Sequence, residues 1–207
     1  MANSPNPPII GITGGIGAGK SIICKLFIAL GIPVYDADTR AKMLTNTSPE
    51  IKAAIIAAFG TQAYNAQGLN RQYLANKVFN NQQSLNKLNS IVHPNVAKDF
   101  THWVAGHKQA PYLIKEAALM IESGSYRQVT RLITVHAPEA LRIQRTLQRD
   151  PFRTKAQVQA IIGKQLPEPE RLSKANHIIH NDGHQAVIPQ VMQLHQAFLA
   201  LKGQSVV

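Results

Sequence analysis

The chain has 207 residues, with 22 Lys and Arg against 11 Asp and Glu, a formal charge of +11 and a single cysteine. That length suits one α/β core carrying insertions or a small second lobe, and the lone Cys24 excludes an internal disulfide framework and points to a reducing compartment. The basic residues are scattered apart from a modest cluster between Arg142 and Arg153, and the aromatics form no stacking pattern, so the charge suits anionic small molecules better than nucleic acid.

Residues 1–8, with three prolines and two asparagines, read as a loose tail. They lack the basic start and long apolar run of a signal peptide, and no stretch reaches transmembrane length, so a cytoplasmic protein without a membrane partner is expected. Ile9 to Thr13 is short, apolar and β-branched, as a buried parallel strand should be. It runs into Gly14-Gly15-Ile16-Gly17-Ala18-Gly19-Lys20-Ser21, which fits G-x-x-x-x-G-K-[ST] at every fixed position. Ile22 to Leu30 then reads as a helix stopped by Gly31 and Pro33. Strand, glycine loop and helix together make a phosphate site. Glycines let successive N–H groups turn inward, and the helix start adds free donors and the positive end of its dipole. Lys20 can reach the β- and γ-phosphates, and the Ser21 hydroxyl can ligate Mg²⁺.

Ile32 to Tyr35 is a second short strand, and it delivers Asp36 and Asp38 to a strand's carboxyl end, where open parallel sheets bind ligands. From spacing alone the pair serves equally as a general base or as the cap of a helix over Thr39 to Leu44. Residues 49–105 turn helical, with helices over Glu50 to Phe59, Arg71 to Phe79 and Gln82 to Ile91; His93-Pro94 breaks the series before a last helix over Val96 to Val104. The sheet resumes at Pro111 to Glu116, Arg131 to His136 and His177 to His180. Between the last two strands, Glu139 to Pro167 reads as a helical hairpin with Arg142, Arg145 and Arg149 on one helix face. A final helix over about Gln185 to Leu201 closes one side of the sheet.

This ordered set of residues resembles the dephospho-coenzyme A kinase family over nearly the whole chain. The resemblance is carried by Thr13 to Ser21, Asp36-Ala37-Asp38, Gly68-Leu69-Asn70-Arg71, Val78-Phe79, Leu88, His93-Pro94, Ala117 to Glu122, Gln144-Arg145 with Arg149, Gln165, and Ala175-Asn176 through Asn181-Asp182-Gly183. It implies an α/β P-loop fold, a three-layer sandwich with a five-stranded parallel sheet. The core would take residues 1–48, 107–140 and 174–207, a coenzyme A lobe 49–106, and a lid 141–173. The reaction implied is transfer of the ATP γ-phosphoryl group to the ribose 3′-hydroxyl of dephospho-coenzyme A, with Mg²⁺, by a monomer or small homo-oligomer.

The resemblance also implies site residues. Asp38, Lys20 and Arg149 would be catalytic, with Asp38 as the base. ATP would meet Gly15, Gly17, Ala18, Gly19, Lys20, Ser21, Ile22, Arg145 and Asn181, with Ser21 on the metal. Asp36, Arg71 and His93 would meet the acceptor, Asp36 alternatively ordering the loop or the metal waters. Glu116 ends a strand where many P-loop enzymes keep a metal-orienting acid. Three positions depart from the family pattern: Ile22 in place of a second hydroxyl residue, Ala118 in place of proline, and Asn176 in place of aspartate. The alternatives are another P-loop small-molecule kinase or a non-catalytic nucleotide-binding module. A guanine-reading Asn-Lys-x-Asp is absent from the sequence.

Overall fold

A computed structural model describes residues 6–79 and 81–201, so most of the expected N-terminal tail lies outside the described residues. The chain divides into two compact units, residues 1–36 with 104–207, and residues 37–103.

The first unit is built on five parallel strands: β1 (Ile9–Thr13), β2 (Val34–Asp36), β5 (Leu113–Glu116), β6 (Arg131–His136) and β7 (His177–His180), in the order β2-β5-β1-β6-β7. β1 lies in the middle, and the chain leaves it first to one side and later returns on the other. In such sheets that reversal opens a crevice at the strands' carboxyl ends. The register brings the strand ends together: Ile12 opposes Glu116, Asp36 opposes Glu116, and His136 opposes His180.

One sheet face carries Ile10, Ile12, Ile114, Ile133, Val135 and Ile179, all without solvent exposure. Against it pack Ile23, Cys24 and Phe27 of α1 (Lys20–Ala29) and Val191 and Phe198 of α9 (Val187–Leu199). Continuous apolar runs in the strands follow from this, because a central parallel strand is covered on both faces. Truncating a residue such as Phe27 to Ala should cost about 3–5 kcal/mol. Tyr112, buried beside Phe198, keeps its hydroxyl satisfied on His195 Nδ1 at 2.7 Å, and burial raises its pKa. The opposite face is covered by Met120 and Ile121, packed with Leu132, Val129 and Leu166. Three helices follow β6 before β7: α6 (Glu139–Arg149), α7 (Lys155–Lys164) and α8 (Glu168–Ser173). The expected hairpin is thus joined by a third short helix. Thr154 and Gln157 close a reciprocal capping box at the start of α7.

The second unit holds α2 (Ala37–Thr47), α3 (Pro49–Phe59), α4 (Arg71–Val78) and all but the last two residues of α5 (Gln82–Ala105), around a core of Ile51, Ile55, Ala63 and Leu74. Ser48 caps α3 and Asn70 caps α4, each side chain accepting from the backbone N–H three residues on. Arg40 makes a two-pronged ion pair with Asp99, tying α2 to α5. The sequence reading breaks the helix at His93-Pro94, but α5 continues through Pro94. The ring removes one N–H donor, the one that would reach the Ser90 carbonyl, and the helix runs on without it. A small antiparallel hairpin, β3 (Tyr64–Asn65) with β4 (Gly68–Leu69), was not expected. Among the described residues no helix is long and apolar enough to cross a membrane.

Candidate active site

β1 ends at Thr13, and Gly14 to Gly19 turn the chain into α1. Gly17 and Gly19 make the turn, with φ of 75° and 96°, values side-chain-bearing residues rarely adopt. A Cβ on either would also collide, at Gly17 with the Arg142 carbonyl and at Gly19 with Asn181 Nδ2. Gly19 caps α1, whose first turn carries no acidic residue, so the positive helix end is left for an anion. Ser21 stands exposed in that first turn. Ile22 is 54% exposed, an apolar surface where the family pattern has a hydroxyl.

Two of the loop's donors rest on protein acceptors. Lys20 Nζ donates to the Gly14 carbonyl at 3.0 Å, and the Ile16 N–H donates to Gln165 Oε1 at 2.9 Å. Behind the loop, Asn181 Nδ2 donates to the carbonyl of the fully buried Ala18 at 2.8 Å. Arg145 in turn braces Asn181, donating from Nη1 to its backbone carbonyl at 2.8 Å and from Nη2 to its Oδ1 at 3.4 Å. Arg145 and Asn181 are therefore a buttress of the loop, linking α6, the end of β7 and the phosphate turn. At Asn176, where the resemblance expects aspartate, Oδ1 accepts from the Leu132 N–H at 2.8 Å and the backbone N–H donates to the Leu132 carbonyl. Ala118 offers its carbonyl to the Thr13 hydroxyl at 3.4 Å.

Asp36 and Glu116 end adjacent strands as direct register partners, Asp36 half-buried and Glu116 9% exposed. Both act on Cys24. Its thiol is pushed far above the ordinary range, chiefly by burial and then by these two carboxylates, with Lys20 opposing. Cys24 is therefore a small core residue rather than a nucleophile. Among the described residues no group of three or more His, Cys, Asp or Glu could hold a metal by itself. One hydroxyl and two strand-end carboxylates are the donor types that suit a divalent cation whose other ligands are phosphate oxygens and water.

In the second unit, Asp38 is the exposed second residue of α2, favourably placed toward that helix's positive end. Arg71 is exposed at the first position of α4, and His93 is exposed midway along α5.

The three arginines of α6 share a face but not a fate. Arg149 is exposed in the last turn, whereas Arg142 is only 3% exposed in the first. Arg171, which the sequence reading does not single out, is equally buried. Both pack onto Gly15, where a Cβ would overlap Arg142 Nη1 and lie 3.1 Å from Arg171 Nη1. Arg171 donates from Nη2 to the Leu166 carbonyl at 2.6 Å. Glu168 is the nearby counter-charge: Oε2 lies 3.9 Å from Arg142 Nη2, and Oε1 binds His136 Nδ1 at 2.9 Å. A six-residue helix shows no useful periodicity to mark Arg171 out.

Residues 8–186 match the model of the dephospho-CoA kinase family. A dephospho-CoA kinase of Bacteroides fragilis is 35% identical over 186 residues, covering 89% of this chain and 90% of the relative. One of Salinibacter ruber is 39% identical over 177 residues, covering 84% and 88%. Among solved structures, a Thermus thermophilus protein superposes with a TM-score of 0.82 at 28% identity, over 95% of this chain and 98% of that one. A dephospho-CoA kinase from Campylobacter jejuni, with a TM-score of 0.67 at 24% identity over 93% and 97%, shares the fold. The family match runs from β1 to the segment after β7 and the curated relatives cover most of the chain, and on that extent the chain belongs to the dephospho-CoA kinase family.

Proposed function

We propose that this chain transfers the γ-phosphoryl group of ATP to the ribose 3′-hydroxyl of dephospho-coenzyme A, giving coenzyme A and ADP, the last step of coenzyme A synthesis. The observation that carries this reading is the family match over residues 8–186, which takes in an intact phosphate loop.

Phosphoryl transfer asks a protein for alignment and charge neutralisation more than for covalent chemistry. The loop amides and the free start of α1 hold the phosphates. Lys20 swings from the Gly14 carbonyl onto the β- and γ-oxygens. Ser21 would hold a divalent cation, Mg²⁺ in this reading, with Glu116 orienting it, and that cation would supply Lewis-acid charge to the phosphates; Asp36 meets the acceptor or orders the metal's waters. Asp38 accepts the proton of the ribose hydroxyl, which is a poor nucleophile until that proton has a destination. Arg149 acts on the charge that spreads over the transferring group. Arg145 and Asn181 meet ATP as well as bracing the loop that holds it. Arg71 and His93 meet the acceptor. The setting is cytoplasmic.

A coupled ADP-release assay across dephospho-coenzyme A, adenosine, AMP and shikimate tests the reading. Turnover should be selective for dephospho-coenzyme A; equal or better turnover of another acceptor would reassign the substrate.

A further inference from the structure

Arg142 and Arg171 place two guanidinium groups beneath Gly15 with less compensation than buried charges normally have. Each side chain is 3% exposed. Arg142 Nε and Nη1 and Arg171 Nη1 have no hydrogen-bond partner among the described residues, although buried donors are almost always paired. Glu168 stands 3.9 Å from Arg142 and shares its charge with His136. Glu122, the other carboxylate acting on Arg171, gives Oε1 to the Leu166 N–H at 3.0 Å. Burial and the neighbouring Arg142 both disfavour the charge on Arg171, lowering its pKa.

One loop amide beside this pair is also provisionally occupied. The Ile16 N–H is taken by the side-chain oxygen of Gln165, a neutral acceptor from the segment between α7 and α8. Gln165 immediately precedes Leu166, whose carbonyl accepts from Arg171 Nη2. An arriving oxyanion is a stronger acceptor than an amide oxygen. Its displacement of Gln165 would loosen the contact that holds Gly15 and Ile16 down over the two guanidinium groups.

We propose that Arg142 and Arg171 form a buried cationic seat for the terminal phosphate of a nucleoside triphosphate, closed in the ligand-free protein by Gln165 on the Ile16 amide. The seat rests on the reading of the glycine loop as the ATP site. It adds to that reading a means of telling a triphosphate from a diphosphate: only the longer chain reaches the seat, displaces Gln165 and pairs the open guanidinium donors. Arg145 is committed to Asn181 and cannot serve this purpose without giving up the buttress.

The experiment is calorimetric titration of ATP and of ADP, each with Mg²⁺, into wild-type protein, Arg142→Gln and Arg171→Gln, with melting temperatures of the free proteins. The seat predicts that ATP Kd rises at least about tenfold in each variant while ADP Kd stays within about threefold, so that the preference for ATP collapses. It also predicts that the free variants melt no lower than wild type, since each loses an undercompensated buried charge. Equal weakening of ATP and ADP, or a lower melting temperature with the ATP preference intact, overturns it in favour of a purely structural pair. Should the variants not fold, the unmodified protein still decides. Inorganic tripolyphosphate should raise its melting temperature more than pyrophosphate does at equal concentration, and equal effects refute the seat. These binding readouts need no acceptor. Failure to phosphorylate dephospho-coenzyme A would therefore count against the proposed function alone.

Discussion

Asn181 Nδ2 reaches 2.8 Å to the carbonyl of Ala18, fastening the end of the last strand to the middle of the phosphate loop across 163 residues of sequence. The bond holds backbone rather than ligand, so its loss should be felt by every nucleotide alike. In Asn181→Ala, ATP and ADP affinity should both fall by roughly five- to tenfold, the equivalent of one net hydrogen bond. Titration of both nucleotides checks this. Loss of ATP affinity alone would mean that Asn181 touches the terminal phosphate, and unchanged affinity for both would mean that the loop needs no buttress.

Asp38→Asn keeps shape and most hydrogen-bonding capacity but removes proton acceptance. As the base, Asp38 should be worth roughly 10²–10⁴ in kcat, with ATP and dephospho-coenzyme A binding little changed. Its place in the first turn of α2 supplies the competing explanation, a favourable charge at a helix start. That role predicts a lower melting temperature and near-normal kcat. Partial rescue by added Mg²⁺ would instead indicate metal ordering. Measuring kcat, melting temperature and Mg²⁺ dependence on one preparation separates the three.

His177 gives stability a pH dependence. Burial, then the nearby Arg131, hold its pKa below the ordinary value of 6.5. The folded protein thus favours the neutral ring, packed 5.5 Å from Phe198, while the unfolded chain accepts a proton more readily. The stabilisation is complete above the unfolded value and is lost as pH falls through it toward the folded one. Between about pH 7.5 and pH 5.5 the melting temperature of His177→Gln should fall less than that of wild type. Parallel pH profiles would contradict the assignment.

What was legible in the sequence was whatever is written in adjacent residues. The glycine loop, its flanking strand and helix, and the five strands are local signals, and the structure has them. Pro94 misled because a missing donor marks a helix end only when nothing else carries the helix onward; α5 carries on through it. β3 and β4 are two residues each, too short to alternate, and their turn is held by Asn65 Oδ1 accepting from the Gln67 N–H. The arginines of α6 show the deeper limit. Spacing puts Arg142 and Arg149 on one face, but a helix crossing the loop buries its first turn and leaves its last in water, and only tertiary structure distinguishes them. Arg171 meets Gly15 from a segment more than a hundred residues away.

The most direct test of the central claim is to follow the phosphate itself. Incubated with γ-labelled ATP and dephospho-coenzyme A, the protein should move the label onto the acceptor, and a 3′-specific nucleotidase should remove it and regenerate dephospho-coenzyme A. Label appearing only as free phosphate, or on an acceptor position that resists the nucleotidase, would contradict transfer to the ribose 3′-hydroxyl.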